Sequence, residues 1–313
     1  MSGTENTYTP TPKPSRLDKE RLKKLARKER MRSRAGRGPG ERAGLRQLAV
    51  ERYRAGILRV GKNSRKRINA ILARYSLVGD PAVFDTDLFP FVKLLEQNWE
   101  TIRAEAEAVL QARDALPALH EISPDHDRLS ADDSWKAFFL QGYGIRCDRS
   151  AARCPRTSEL LSTVPGLWSA FFSILGPGAH LPRHRGPTKA IVTWHLGLII
   201  PRESERCWIQ VADQRCLWEE GRSLIFDDAR KHEVLNDAAE ERVVLLVHLR
   251  RPMRFPGSLL GRLFLTAIQW SPFVRDAQKN QAAWEDAFEQ ALAERVGTAA
   301  SSSAPQVAAH SRG

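Results

Sequence analysis

The fold is decided by three neighbouring stretches: GPGAHLPRHRGPTKAIVTWHLGLIIP from Gly176 to Pro201, SLIFDDARKHEVLND from Ser223 to Asp237, and RVVLLVHLRRP from Arg242 to Pro252. Each is a short run rich in β-branched or aromatic residues, closed off by Gly, Pro or Asp. Working outward, WKAFFL (from Trp135), LWSAFFSIL (from Leu167) and RCWIQVA (from Arg206) have the same character. Serial strands of this kind predict a mainly β fold with flanking helices, a double-stranded β-helix of the jelly-roll, cupin-like type.

The flanks read differently. Phe91 to Leu110 places Phe91, Leu94, Leu95, Trp99 and Ile102 on one face, which predicts one amphipathic helix serving as lid or buttress of the strand domain. Ala118 to Asp133 is rich in Asp, Ser and Pro and predicts a loop, while Leu259 to Val274 returns to helical spacing with a broad apolar face suited to packing on the sheet or touching a membrane. Residues 1–74 carry 22 Lys and Arg against 6 Asp and Glu, and the remainder 27 against 31. The basicity therefore belongs to an N-terminal arm. Within it, Ser64 to Tyr75 sets Ile68, Ile71, Leu72 and Tyr75 at helical spacing among arginines. We expect a basic extension over 1–82, largely disordered or helical, a jelly-roll domain over 83–290 and a disordered tail over 291–313.

Composition excludes several classes. No run of about 18 apolar residues predicts a membrane span, and the polar, proline-rich start is no signal peptide. Four cysteines without CxxC or zinc-finger spacing fit a reducing compartment. The expected setting is cytoplasmic, with the basic arm suited to peripheral contact with the anionic inner face of a membrane. Nucleic acid is the less favoured partner.

The chemistry rests on His184 and His232, each set at a strand edge, with Arg242 ten residues past the second histidine. His184 follows a turn and is read as opening a strand. Two neutral imidazoles from distant strands can hold a divalent iron. An arginine on the adjoining strand can anchor a dicarboxylate beside it. Together these features point to an oxygenase using Fe(II), 2-oxoglutarate and dioxygen, in which the metal must keep open positions. The usual carboxylate two residues after the first histidine is missing, because that position is Gly186. Either another oxygen completes the iron or the pair is no metal site.

Other residues are ambiguous from sequence. Asp227 and Asp228 could orient His232 or shape the turn, and His248 shares a strand face with Arg242 but reads as packing. His120 and His180 read as loop residues. Among the tryptophans, Trp194 and Trp208 lie near enough to site residues to suggest a pocket role.

Eight phrases in order, from LLEQNWETIRAEA (Leu94) through FFLQGYG, CPRT, HRGPTK, WHLGLIIP, CWIQV and WEEGRSLIFDDARKHEV to RPMRFPGSLLGR (Arg251), resemble the aspartyl/asparaginyl β-hydroxylases and the wider group that holds the bacterial lipid A 2-hydroxylases. The likeness runs from Phe91 to about Glu285. It implies His184 and His232 as iron ligands without a carboxylate, so that Gly186 is expected. It further implies Arg242 as the partner of the distal carboxylate of 2-oxoglutarate, with Ser173 and His195 also in the co-substrate site. Thr193 stands where the family commonly has an arginine. The implied substrate is the β-carbon of an Asp or Asn residue or amino acid, with a lipid acyl chain as the alternative. A different class, a non-catalytic jelly-roll adaptor carried by its basic arm, would have no reason to keep His184, His232 and Arg242 together.

Overall fold

The computed structural model describes residues 65–122, 132–272, 274–286 and 288, all within one compact unit, Arg59–Gly313. The expectations for most of the basic arm and for the C-terminal tail fall outside the described residues.

Eleven strands are described: β1 (Val83–Phe84), β2 (Trp135–Gly142), β3 (Ile145–Arg146), β4 (Leu167–Leu175), β5 (Ala179–His184), β6 (Ile191–Ile199), β7 (Cys207–Val211), β8 (Gln214–Leu217), β9 (Ser223–Phe226), β10 (His232–Asn236) and β11 (Arg242–Arg250). They form a seven-stranded sheet, β1-β9-β6-β11-β4-β2-β3, and a four-stranded sheet, β5-β10-β7-β8. Every strand pairing is antiparallel. This is the jelly roll that the alternating short runs predict.

Side chains alternate across a strand, so each central strand serves two cores. On β11, Val243, Leu245 and Val247 join the cluster beneath the helices, while Val244 and Leu246 join the cluster containing Leu181, Ile209 and Val234 of the smaller sheet. Phe172 and Ile174 of β4 face the helices, and Phe171 and Leu175 face the other sheet. Both sides of the large sheet are therefore dry, and its strands read as nearly unbroken apolar runs.

The helix expected over Phe91–Leu110 is two helices, Phe91–Gln97 and Trp99–Leu110, parted at Asn98. Asn98 leaves helical geometry (φ −109°, ψ 14°), and its side chain donates 2.8 Å to the Leu94 carbonyl. Leu95, Ile102, Ala106 and Val109 pack on the large sheet, so the pair is the expected buttress, whereas Leu94 is exposed. The loop expected from Ala118 contains a helical turn, Leu119–Ile122, and two further, unexpected helices, Asp148–Arg153 and Pro155–Ser162, meet at Cys154 of the CPRT phrase. The C-terminal helix is Gly257–Gln269, and 274–286 are again helical. Residues 65–74 form a helix whose Leu72 is fully buried against Leu265 and Trp168. Among the described residues no helix is long and apolar enough to cross a membrane, and all four cysteines are free.

Candidate functional site

The alternation that builds the cores also aims polar groups into the space between the sheets. Ser173 shares its face of β4 with Phe171 and Leu175, Thr193 and His195 share theirs on β6, and Arg242 shares its face of β11 with Val244 and Leu246. Ser173, His195 and Arg242 are the residues that the resemblance implies for the co-substrate, and the fold brings them, with Thr193, to one inter-sheet face.

His184 and His232 meet directly. They are register partners of β5 and β10, with ring centroids 4.1 Å apart. His184 closes β5 rather than opening a strand, which corrects the expectation; His232 opens β10. Each Nδ1 faces a main-chain carbonyl two residues back, Pro182 at 2.8 Å and Arg230 at 3.1 Å. A neutral imidazole in that position donates through Nδ1 and leaves the Nε2 lone pair free. Burial holds both rings toward the neutral state. His184 lies below its ordinary range, and His232 is pushed down to about 4 by burial and then by the neighbouring His184.

The position of the absent carboxylate is occupied in another way. A Cβ at Gly186 would stand 2.5 Å from Asp228 Cγ and closer still to Oδ2, while the Gly186 N–H donates 2.7 Å to the Asp228 carbonyl. The Asp228 side chain thus takes the room that an acidic residue at 186 would need. Its Oδ1 is buried with no hydrogen-bond partner among the described residues. Burial and the adjacent Asp227 raise its pKa to about 7. No third His, Cys, Asp or Glu completes a metal cluster among the described residues.

Asp227 does not orient the His232 ring directly. Its buried carboxylate pairs with Lys189 and, at 2.9 Å, with Arg251. Asp80 joins them through Lys189, Arg251 (3.1 Å) and Arg230 (3.2 Å). The cluster fixes the turn carrying Arg230, whose carbonyl receives His232 Nδ1, so its effect on the imidazole is transmitted by the backbone.

Arg242 is buried, with its guanidinium 4.7 Å above the Trp218 ring centroid. Its Nε and Nη1 have no hydrogen-bond partner among the described residues. Burial lowers its pKa to about 10, partly countered by the Cys207 thiol beside it. A buried cation without a carboxylate is costly, and such a site is complementary to an anion. His195 accepts from Trp218 Nε1 at 3.1 Å through Nδ1, which assigns the ring proton to Nε2. That Nε2 is buried without a partner among the described residues. Burial, and then Arg242, push the His195 pKa well below its usual value, leaving a neutral donor. Ser173 Oγ accepts from Trp135 Nε1 at 3.0 Å.

Trp218 and Trp135 are the site residues that sequence reasoning missed. Trp218 reaches His195 because the chain folds over β6 at Gly197, where a Cβ would meet the Glu219 carbonyl carbon at 2.9 Å. The two suspected tryptophans are elsewhere. Trp194 points to the helices and packs on Phe91, and Trp208 carries the Arg215 guanidinium at 4.4 Å on the far side of β7. His248 faces the inter-sheet space near Phe171 and lowers the pKa of both His195 and His232. His180 pairs with Glu233 at 2.7 Å on β5, and His120 lies in the helical turn Leu119–Ile122, so neither is a loop residue.

The jelly roll thus brings together two facing imidazoles and, on the inter-sheet face of the large sheet, a buried arginine with two nitrogens lacking partners among the described residues. Comparison with known proteins takes this further. A family profile described as Aspartyl/Asparaginyl beta-hydroxylase matches residues 96–252. The Rhizobium tropici ornithine lipid ester-linked acyl 2-hydroxylase is 39% identical over 69% of this chain and 76% of its own length. The human aspartyl/asparaginyl beta-hydroxylase is 35% identical over 55% of this chain, of which the match spans only 22% of the human protein. A solved Pseudomonas putida prolyl-4-hydroxylase is similar at 23% identity, over 49% of this chain and 87% of that one, with a TM-score of 0.32. The chain belongs to the aspartyl/asparaginyl β-hydroxylase family, a family of hydroxylases.

Proposed function

We propose that the protein is an Fe(II)- and 2-oxoglutarate-dependent dioxygenase that hydroxylates an acyl chain of an amino-acid-bearing lipid. The observation that carries the cofactor assignment is the pair of facing imidazoles whose Nδ1 atoms are held by main-chain carbonyls, together with a buried Arg242 whose Nε and Nη1 have no partner among the described residues. The residues fit the metal. His184 and His232 would hold it through Nε2, with their Nδ1 atoms fixed by Pro182 and Arg230. Two protein ligands leave more open positions than a triad, which suits a co-substrate that binds the ion itself. When bound, Fe(II) supplies the redox chemistry that couples decarboxylation of 2-oxoglutarate by dioxygen to oxygen insertion into a carbon–hydrogen bond.

The protein's own contribution is positioning and charge. Arg242 would take the distal carboxylate of 2-oxoglutarate through its unsatisfied Nε and Nη1, with Ser173 on the adjacent strand as a further hydrogen-bonding group. Arginine suits this task because its planar fork meets a carboxylate bidentately. His195 would donate its Nε2 proton to the co-substrate. Because Trp218 fixes the tautomer and burial keeps the ring neutral, that donor does not switch off near neutral pH. The apolar lining of Phe171, Phe226 and Leu246 excludes water from the reaction.

Two observations favour an acyl chain. The lipid hydroxylase of Rhizobium tropici is alike over three quarters of its length, and the inward face of β6 carries Thr193, His195 and Gly197, with no charged side chain to meet a substrate carboxylate. The family match and the human relative support a second reading, the β-carbon of an Asp or Asn residue. Incubating the full chain with Fe(II), 2-oxoglutarate and dioxygen, first with ornithine lipid and then with Asp/Asn peptides, tests both. We expect succinate and a lipid gaining one oxygen at C2. Hydroxylated peptide with unchanged lipid would replace the first reading by the second. His184→Ala and His232→Ala should each abolish metal binding, measured by calorimetric titration, while leaving the circular dichroism spectrum intact. Metal affinity equal to the parent in either variant would overturn the ligand assignment.

A further inference from the structure

We propose that the face formed by the helix Gly257–Gln269 and the helix at 65–74 is a docking surface for an anionic lipid bilayer. At 100° per residue, Leu259, Leu263 and the C-cap residue Trp270 fall within a stripe of about 40°, and Phe255 stands just before the helix. They are 49%, 61%, 71% and 75% exposed. The opposite side of the helix carries Gly257, Gly261 and Leu265, which are buried. Gly261 lies over Leu72 and Gly257 over Tyr75, where a larger side chain would collide with the ring. The helix is therefore already seated, and its outward stripe stays exposed among the described residues. Large apolar residues gathered on one exposed stripe mark an interaction surface.

Charge identifies the occupant. Residues 65–79 and 252–275 contain no Asp or Glu. Lys66, Arg67, Arg74, Arg254, Arg262 and Arg275 are exposed. The two segments are joined: Arg254 N donates 3.0 Å to the Tyr75 carbonyl, and Leu77 N donates 2.9 Å to that of Pro252. An apolar ridge with aromatic residues near its ends and exposed cations along its flanks is the pattern of an interfacial helix, whose apolar face enters the acyl boundary while the cations meet lipid phosphates. Ala190, six residues beyond His184, packs in the same cluster as Leu265. The docking face and the imidazole pair are thus linked by at most about 20 Å of chain.

The proposal stands on this surface alone, and its test involves no turnover, so its failure and that of the lipid-hydroxylase reading are distinguishable. The full chain, its L259E/L263E variant and an L94E control are sedimented with vesicles of phosphatidylcholine alone and of phosphatidylcholine with phosphatidylglycerol. Binding is measured at low and high salt, and thermal melts confirm folding. The parent and L94E should bind the anionic vesicles, more weakly as salt rises, and the double variant should lose about tenfold or more in partition. Undiminished binding by L259E/L263E would overturn the proposal and assign any adhesion to the N-terminal arm. Absence of parent binding, equal binding to neutral vesicles or an equal loss in L94E would overturn it as well.

Discussion

Replacing Arg242 by methionine should have opposite effects on the free and the liganded protein. Arg242 is buried, rests on Trp218 and has two nitrogens without acceptors among the described residues. Burial brings its pKa from 12.5 to about 10, which corresponds to about 3 kcal/mol by which the site disfavours the charged form. Methionine keeps much of the apolar stem and removes the charge. It forfeits the contact with Trp218, worth roughly 1–2 kcal/mol when desolvated. The free R242M protein should therefore be more stable by about 1–2 kcal/mol, or some 2–6 °C in melting temperature for a domain of this size. With co-substrate the order reverses. The parent gains about 2.7 kcal/mol at one hundred times Kd. The variant, having lost a charge-assisted contact of about 2–4 kcal/mol, gains almost nothing. The assay is thermal unfolding of both proteins with Mn(II) in place of iron, with and without 2-oxoglutarate. A free variant less stable than the parent would show that the buried cation is compensated. A variant that kept its ligand-induced rise would remove Arg242 from the co-substrate site.

Two further outcomes follow from the imidazole pair. Gly186→Asp should not create a facial triad but drive against Asp228, lowering stability by roughly 1–3 kcal/mol; adding Asp228→Gly should recover it, and a single variant as stable as the parent by denaturant titration would show that the turn yields freely. In the apoprotein the folded His232 pKa of about 4 lies below its unfolded value of 6.5. The unfolded chain therefore binds the extra proton, and stability should fall as pH drops from about 6.5 to 4, by up to about 3 kcal/mol. His232→Asn should flatten that part of the stability–pH curve, and an unchanged curve would reject the assignment.

Period-two alternation made much of this site legible before any coordinates. Once β4, β6 and β11 are recognised, Ser173, His195 and Arg242 must each lie on one definable face, and the pairing of the strands sets them side by side on the same side of the sheet. The same rule excludes Trp194, since a residue adjacent to inward-facing His195 must point outward, and it separates Trp208 from Cys207 and Ile209. Those two errors came from weighing proximity in sequence above parity. Trp218 and Asp228 were illegible for a different reason. Each acts from a turn, and each is placed by a glycine that leaves room for it: Gly197 for the chain carrying Trp218, Gly186 for the Asp228 carboxylate. Sequence records the glycine, but the identity of the atoms that use its space depends on tertiary packing.

The orphaned atoms add a constraint that no motif contains. Arg242 Nε and Nη1, His195 Nε2 and Asp228 Oδ1 are all buried without partners among the described residues. The first three belong to inward faces of the large sheet, and the fourth lies beside the imidazole pair. Unsatisfied groups of this kind cost about 1–3 kcal/mol each, against a net stability of about 5–15 kcal/mol for a typical domain. Other buried groups without partners, such as Trp194 Nε1 and Gln281 Oε1, lie elsewhere, but Arg242 and His195 stand on one face of paired strands and so offer their unsatisfied groups to the same space. Their chemistry is also ordered: a cation and a neutral donor on the sheet, then lone pairs and a carboxyl oxygen near His184 and His232. That order matches an anion whose one end meets Arg242 and whose other end meets a metal held by the histidines. Binding and stability should consequently rise together, and the ligand that satisfies the most of these atoms should be the one that raises the melting temperature furthest.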